Sequence, residues 1–379
     1  MQGIEAAGVY LGRVWRVSAG GPVMVVIRDG VVWDITTKAA PTMRDVLEID
    51  DVPGFVASVP GEAIGSLEEL LAASGEAPVG DHLLAPCDLQ AVKACGVTFA
   101  GSMVERVIEE RAAGDPARAD AIRAQVTAVI GDSLRGLVPG SEAAARVKAV
   151  LIGAGLWSQY LEVGIGPDAE VFTKSAPMAA VGYGASVGLH PISRWNNPEP
   201  EVVLAVDSRG GIKGATLGND VNLRDVEGRS ALLLGKAKDN NASAAIGPFI
   251  RVFDGNFTLD SVRQAELTLR VEGLDGFVLD GQSSMSAISR DPADLVAQTR
   301  GRHHQYPDGF MLYLGTLFAP TKDRDHAGQG FTHKRGDVVS ISAPGFGVLR
   351  NTVRLATECP EWVFGAGALM RNLAGRGLL

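Results

Sequence analysis

From about Trp157 onward the chain is written in short β-rich runs set between clusters of glycine, proline and asparagine. The runs are Ala169–Phe172, Glu201–Val206, Leu267–Val271, Phe310–Phe318 and Val338–Ala343. Bounded by turn formers, runs of this length predict strands. No regular helix alternates with them, so the pattern predicts a curled mixed sheet and argues against repeated βαβ units. No fixed-period repeat is visible. No Gly-x-Gly-x-x-Gly follows a strand, and no Walker-type phosphate loop occurs.

The first 85 residues read as a small β-rich unit of their own. Val23–Ile35 is two β-branched runs joined at Asp29-Gly30, a dipeptide that supplies the positive φ of a tight hairpin. Short helical patterns follow near Thr42–Glu48 and Ser66–Ala73. A longer helix is predicted over Ser102–Val129, where Met103, Val107 and Ile108 recur among charged residues. Gly114-Asp115-Pro116 should break it in two. Another helix is expected over Ser141–Leu151. The division predicted is therefore 1–85 and 86–379, with a helical insert at about 102–152.

At 379 residues the chain can bury a large core. Its net charge of −9 argues against a nucleic-acid surface or an anionic membrane as partner. The beginning Met1-Gln-Gly-Ile-Glu lacks the basic start and apolar core of a secretion signal, and no apolar stretch of ~18 residues occurs. Cys87, Cys95 and Cys359 have no metal-ligand spacing and do not pair off, which fits a reducing cytoplasm.

The chemistry concentrates at Glu199 and Glu201, in Trp195-Asn-Asn-Pro-Glu-Pro-Glu201. Residues two apart on a strand share a face, so both carboxylates can aim at one point. Asp220 follows in Leu217-Gly-Asn-Asp220. Three convergent carboxylates repel one another unless a cation sits among them. Oxygen donors without nearby His or Cys suit Mg²⁺ or Ca²⁺. The plainer reading is an acidic pair on a solvated strand face. Downstream, Lys238 is either a solvated helix residue or a proton carrier whose pKa a cation and burial would lower. Upstream, Glu170 either faces water from a strand or is a fourth acid beside the metal.

The order Phe172-Thr-Lys174, Asn197-Pro-Glu-Pro-Glu201, Gly218-Asn-Asp220, Arg224-Asp225, Lys238, Gly315-Thr316, Gly336-Asp337 and Asn351-x-Val353 resembles the fumarylacetoacetate hydrolase family. The likeness runs from about Pro86 to the end of the chain. It implies a mixed, β-rich α/β fold, with a β-roll catalytic domain behind a small N-terminal β-rich domain. It also implies a homodimer or homotetramer. The positions matching Glu199, Glu201 and Asp220 would hold Mg²⁺, with Ca²⁺ or Mn²⁺ as alternatives. Lys238 would lie beside the metal and Thr316 would meet the substrate carboxylate.

The family cleaves, decarboxylates, isomerises or dehydrates 2-oxo acids, so the reaction has to be read from departures. Its acylpyruvate hydrolases carry a lid histidine and glutamate that activate water. Here the matching stretch, Gly96–Glu105, keeps Glu105 but has Ser102 in place of the histidine. A second histidine is replaced by Pro177. Serine without a partner is no base near neutrality. A metal, a lysine and an acid suit removal of a C3 proton and loss of a C4 hydroxyl. The runs Leu156–Asp168 and Arg371–Leu379 resemble the branch that dehydrates 2-dehydro-3-deoxy-D-pentonates to 2,5-dioxopentanoate. The expected partner is thus a small 2-oxo sugar acid. Lys238 is assigned as C3 base and Glu170 as the acid, with the reverse left open. Thr98, Ser102, Glu105, Arg106, Ser286 and His304 are candidates for the substrate hydroxyls. Thr98 and Ser102 serve equally as structural caps, Arg106 as a partner of Glu109 or Glu110, and His304 as a structural histidine. Asp225 anchors Arg224 or starts a helix. The alternatives are a C–C hydrolase of an acylpyruvate or 2,4-dioxo sugar acid, and a non-catalytic sugar-acid binding protein.

Overall fold

The computed structural model describes residues 3–113, 115, 118, 119, 122, 136–153, 155, 157–316, 318, 320, 322–326 and 330–379. The strands are β1 (Tyr10–Arg16), β2 (Gly21–Arg28), β3 (Val31–Asp34), β4 (Glu62–Ser66), β5 (His82–Leu84), β6 (Ala91–Gly96), β7 (Glu170–Ser175) and β8 (Ser186–Leu189). They continue with β9 (Pro200–Val206), β10 (Ile212–Asp220), β11 (Ala244–Val252), β12 (Glu266–Glu272), β13 (Val278–Ser284), β14 (Phe310–Tyr313), β15 (Val338–Ala343) and β16 (Gly347–Leu355).

Two sheets result. The larger runs β4-β3-β2-β1-β11-β10-β9-β14-β6-β7, with β5 added to β1, and the smaller runs β13-β12-β15-β16-β8. Parallel and antiparallel pairs mix: β14 runs parallel to β6 and antiparallel to β9. The mixed, β-rich α/β class expected from the sequence is the one observed.

Strand β9 explains how the layers form. Its run Glu-Val-Val-Leu-Ala-Val is buried throughout. Val202, Leu204 and Val206 join Leu269 of β12 and Ile341 of β15 in one core. Val203 and Ala205 join Ile246, Met311 and Tyr313 in another. A strand buried on both faces needs apolar residues at every position, not at alternate ones. Each such Val or Leu contributes roughly 1.5–3 kcal/mol by leaving water. Glu199 and Glu201 have the same parity as Val203, so the acidic pair extends the second core's face beyond its apolar end.

The hairpin predicted at Asp29-Gly30 joins β2 to β3, with φ of 51° and 76° at the two turn residues. The short helices form at Met43–Leu47, capped by Thr42, and at Leu67–Ala73, where Ser66 and Glu69 make a capping box. The N-terminal strands meet the rest of the sheet through two registered pairs, Tyr10 with Arg251 and Leu11 with Ile250.

The helix expected from Ser102 begins at Ala100 and is described to Ala112. The break proposed at Gly114-Asp115-Pro116 has its Gly and Pro outside the described residues, as is most of 116–135. The next helices are Glu142–Gly153 and Gln159–Ile165. Met103, Val107 and Ile108 pack with Leu161, Ile165 and Trp195, which lays helix Ala100–Ala112 over the end of the sheet where the acidic residues sit. Among the described residues no helix is long and apolar enough to cross a membrane.

Candidate metal centre and proton-transfer site

Strand register brings the three carboxylates together. Glu201 is the second residue of β9 and pairs with Gly218 of β10, while Pro200 pairs with Asn219. Asp220 closes β10, and its N–H donates to the Glu199 carbonyl at 3.0 Å. One oxygen from each of Glu199, Glu201 and Asp220 lies within 4.8 Å of the others. All three residues are at most 3% exposed.

Cationic groups surround them. Lys238, at the end of the helix Leu234–Lys238, reaches Glu199 Oε2 at 2.5 Å and Asp220 Oδ2 at 3.0 Å. Lys174, fully buried on β7, pairs with Asp220 Oδ1 at 2.8 Å. It also donates to the carbonyls of Val221 and Lys238 at 3.0 and 2.6 Å. Arg106 comes from helix Ala100–Ala112 and spans Glu199 Oε1 at 2.5 Å and Glu227 Oε2 at 3.0 Å. Beyond Tyr313 the backbone turns at Gly315, where φ is 91°, and the Gly315 N–H donates to Glu201 Oε2 at 2.6 Å. A positive φ there favours glycine. The same turn ends β14 at Tyr313, short of the strand to Phe318 that the sequence predicted.

The triad, Arg106, Lys238 and Gly315 wall a cavity of about 20 Å³, room for roughly one water molecule, with Lys174 behind Asp220. Glu170, Phe172, Glu227 and Thr316 complete the lining together with Cys95, Gly96 and Val97. Glu170 opens β7 and pairs with Gly96, and Phe172 lies two residues on, on the same face. Burial, and next the Glu227 carboxylate, push the Glu170 carboxyl up to about 7, against the lowering effect of Arg106 and Lys238. Burial alone would lower the Lys238 pKa, but Asp220, Glu199 and Glu227 outweigh it and hold the ammonium above its usual range. That reverses the lowered value expected from the sequence, because three carboxylates face this amine. Burial works against Asp220 ionising, yet Lys174 and Lys238 hold its carboxyl below the usual range. Glu201, facing Asp220 and Glu199 as well as burial, is held well above it.

The residues fit a divalent cation. Five carboxylates (Glu170, Glu199, Glu201, Asp220 and Glu227) face three cationic groups, Arg106, Lys174 and Lys238. Glu170 and Glu201 are held back from ionising by this crowding, and with all five ionised the surplus of two negative charges is what such an ion would neutralise. The convergent donors are all carboxylate oxygens, as Mg²⁺ or Ca²⁺ requires. Cys95 stands in the wall, but burial and the charges of Glu201 and Glu170 keep its thiol protonated and unsuited as a ligand.

The remaining candidates divide. Thr98 is buried and its hydroxyl donates to the Leu314 carbonyl at 2.7 Å, fixing the strand end next to the Gly315 turn. Thr316 lines the cavity, and its hydroxyl accepts from the Phe318 N–H at 3.1 Å. Glu105 pairs with Arg224 at 3.5 Å. Ser102 belongs to helix Ala100–Ala112, but its side chain is outside the described residues. Ser286 is exposed and shares a hydrogen bond with Ser284, and His304 is exposed and stacked on Tyr306 with ring centroids 4.5 Å apart. Neither lines the cavity. Asp225 binds Ser193 and the Arg194 N–H, each at 2.7 Å, in place of Arg224. Arg106 meets Glu199 and Glu227, while the side chain of Glu109 lies outside the described residues. Glu227 and Lys174 carry weight in the site without having been singled out. Lys174 stood in the Phe-Thr-Lys run, on the same strand face as Glu170, which was the available signal. Glu227 had none beyond its place three residues after Arg224.

Residues 177–354 match the family described as fumarylacetoacetate (FAA) hydrolase C-terminal. Two curated relatives are similar over about half of the chain. A probable 2-keto-3-deoxyxylonate dehydratase of Haloferax volcanii is 30% identical over 194 residues, 51% of this chain and 63% of that protein. A 2-dehydro-3-deoxy-D-arabinonate dehydratase of Saccharolobus solfataricus is 29% identical over 185 residues, 49% and 58% respectively. The chain thus spans about three fifths of the length of these relatives. Among solved structures, the apo form of a 2-keto-3-deoxy-D-arabinonate dehydratase superposes with a TM-score of 0.65 at 21% identity, covering 91% of this chain and 99% of that one. The same enzyme complexed with magnesium and 2,5-dioxopentanoate gives 0.63 over the same shares, at 21% identity. At these identities the structural likeness is one of fold.

Proposed function

We propose that this protein is a divalent-cation-dependent hydro-lyase. It converts a 2-dehydro-3-deoxy-D-pentonate to 2,5-dioxopentanoate, with Mg²⁺ at Glu199, Glu201 and Asp220. The observation that carries the reading is the composition of one cavity. It joins an acidic triad to two proton carriers, Lys238 and Glu170, and among the described residues no histidine lines it. The relatives with dehydratase names support the substrate class.

When bound, the cation would polarise the 2-oxo acid and so acidify the protons at C3. Lys238 takes one C3 proton after giving up its own, which requires that a cation offset the charges of Asp220, Glu199 and Glu227 that otherwise hold it as an ammonium. Glu170, whose carboxyl burial raises, gives a proton to the C4 hydroxyl, which leaves as water. A proton moved from C5 to C3 then gives the C4=C5 enol, whose hydroxyl proton passes to C4 to leave the aldehyde. Arg106 and Thr316, at the cavity wall, bind the polar groups of the acid. Cavity closure around the reactants excludes bulk water and so favours elimination over hydrolysis. The N-terminal 85 residues we read as a separate unit that supports a homodimer or homotetramer. The cavity lining begins at Cys95, consistent with that part holding no site residue.

The test is proton NMR of purified protein with Mg²⁺ and 2-dehydro-3-deoxy-D-xylonate or -arabinonate. Stoichiometric 2,5-dioxopentanoate is expected. Pyruvate with a two-carbon fragment, or turnover of acylpyruvates with the pentonates untouched, would overturn the assignment in favour of a C–C hydrolase.

A further inference from the structure

Both oxygens of Glu199 are already engaged. Lys238 holds Oε2 and Arg106 holds Oε1, each at 2.5 Å. Arg106 is anchored at its other end by Glu227 at 3.0 Å. It comes from helix Ala100–Ala112, which packs over the site through Met103, Val107 and Ile108. The space of about 20 Å³ beside the carboxylates is far below what a five-carbon sugar acid fills. The described form thus has a guanidinium on a carboxylate assigned to the metal and no room for the substrate there.

We infer that Arg106 is a built-in surrogate cation: it occupies Glu199 while the helix is down and must release that carboxylate for the divalent cation to bind fully. The inference rests on the cation reading of the acidic triad. Its physics is competition between two positive groups for one buried carboxylate. An ion pair of this kind is stable only while its geometry is kept and its neighbours are satisfied. Glu227 supplies that second partner and keeps the guanidinium at the cavity. A ligand that binds only the released form must work against the closed pair, so its apparent affinity falls by the fraction released. Metal entry and lifting of helix Ala100–Ala112 become one equilibrium.

Most substitutions near a metal weaken its binding, whereas this reading requires the opposite. Mn²⁺ binding to the full-length, metal-stripped protein is followed by electron paramagnetic resonance of the free ion. Arg106→Gln is expected to bind Mn²⁺ about tenfold more tightly than the wild type, the effect of ~1.4 kcal/mol less competition. Arg106→Lys, which keeps a competing charge, should stay near the wild-type value. Glu227→Gln frees one end of the guanidinium and should tighten binding by a smaller factor. It serves as the second variant if Arg106→Gln does not fold. Equal or weaker Mn²⁺ binding in a folded Arg106→Gln, or in Glu227→Gln, overturns the inference while leaving the metal site standing. Absence of Mn²⁺ binding in every protein, wild type included, overturns the cation reading itself.

Discussion

Glu170 is the residue whose charge is most sensitive to its place in the fold. Its carboxyl is raised from an ordinary 4.5 to about 7, chiefly by burial. A carboxyl raised by folding favours the native state only while protonated. Its stabilising share is present below about pH 4.5 and is lost as pH climbs to about 7. The loss is roughly 2 kcal/mol once the group's partial exposure is discounted. Chemical denaturation of the metal-stripped protein should therefore show Glu170→Gln gaining stability over the wild type at pH 8 and not at pH 4.5. If Glu170 is the acid, kcat/KM of the wild type falls as pH rises through about 7, and the variant lacks that limb. A parallel pH dependence of stability in both proteins would count against the assigned environment. The triad was legible because the same-face spacing of Glu199 and Glu201 is a local property of the chain, and because Asp220 stands in a Gly-Asn-Asp run that resembles a family motif. The pairing of Arg106 with Glu199 joins residues 93 positions apart, and no local pattern foretells it. Ser286 and His304 show the converse: both are polar residues in the right segment, yet the fold leaves them at the surface.

At the scale of elements, the hairpin β9-β10 and the turn after β14 set the site. Gly218 faces Glu201 across the hairpin. A Cβ there would lie 2.3 Å from Tyr313 Cε1 and 2.5 Å from Val203 Cγ2. Both neighbours are fully buried, so neither can swing away cheaply. Overpacking of this kind costs about 1–3 kcal/mol. Gly218→Ala should lower Tm by a few degrees and weaken Mn²⁺ binding, because β10 must shift against β9 and carries Asp220 with it. Unchanged metal affinity in a destabilised Gly218→Ala would show that the carboxylates do not depend on this register. The strand runs were readable from their β-branched residues, and the hairpin from Asp29-Gly30. The true end of β14 was not, because Gly315 is a turn only by virtue of the carboxylate its N–H meets. Nor was β9's burial on both faces, which depends on a second core built from distant residues.

For the molecule as a whole, the acidic site is where three chain segments converge: the β9-β10 hairpin, strand β7 with helix Leu234–Lys238, and helix Ala100–Ala112. A cation that binds only this assembled arrangement stabilises all of it by mass action. With free Mg²⁺ at about a hundred times its Kd, the gain is about 2.7 kcal/mol. Thermal unfolding should therefore shift upward with Mg²⁺ and downward with EDTA, and Glu201→Gln should abolish the shift. A Tm indifferent to both reagents in the wild type would exclude a resident divalent ion. From the sequence, the first 85 residues read as a unit of their own. It did not indicate that β1 would lie against β11, since that contact is made by strands from opposite ends of the pattern.

The space of about 20 Å³ beside the carboxylates also bears on chemistry applied from outside. With Arg106 on Glu199, a compound the size of the substrate has no room at the carboxylates, so a failed soak would say nothing about affinity. Competitive inhibitors would have to catch the site in the interval when helix Ala100–Ala112 is lifted. Their potency would then follow how often that interval occurs, and a rigid mimic of the substrate would gain less from added contacts than from a second group able to keep the guanidinium of Arg106 away from its carboxylate.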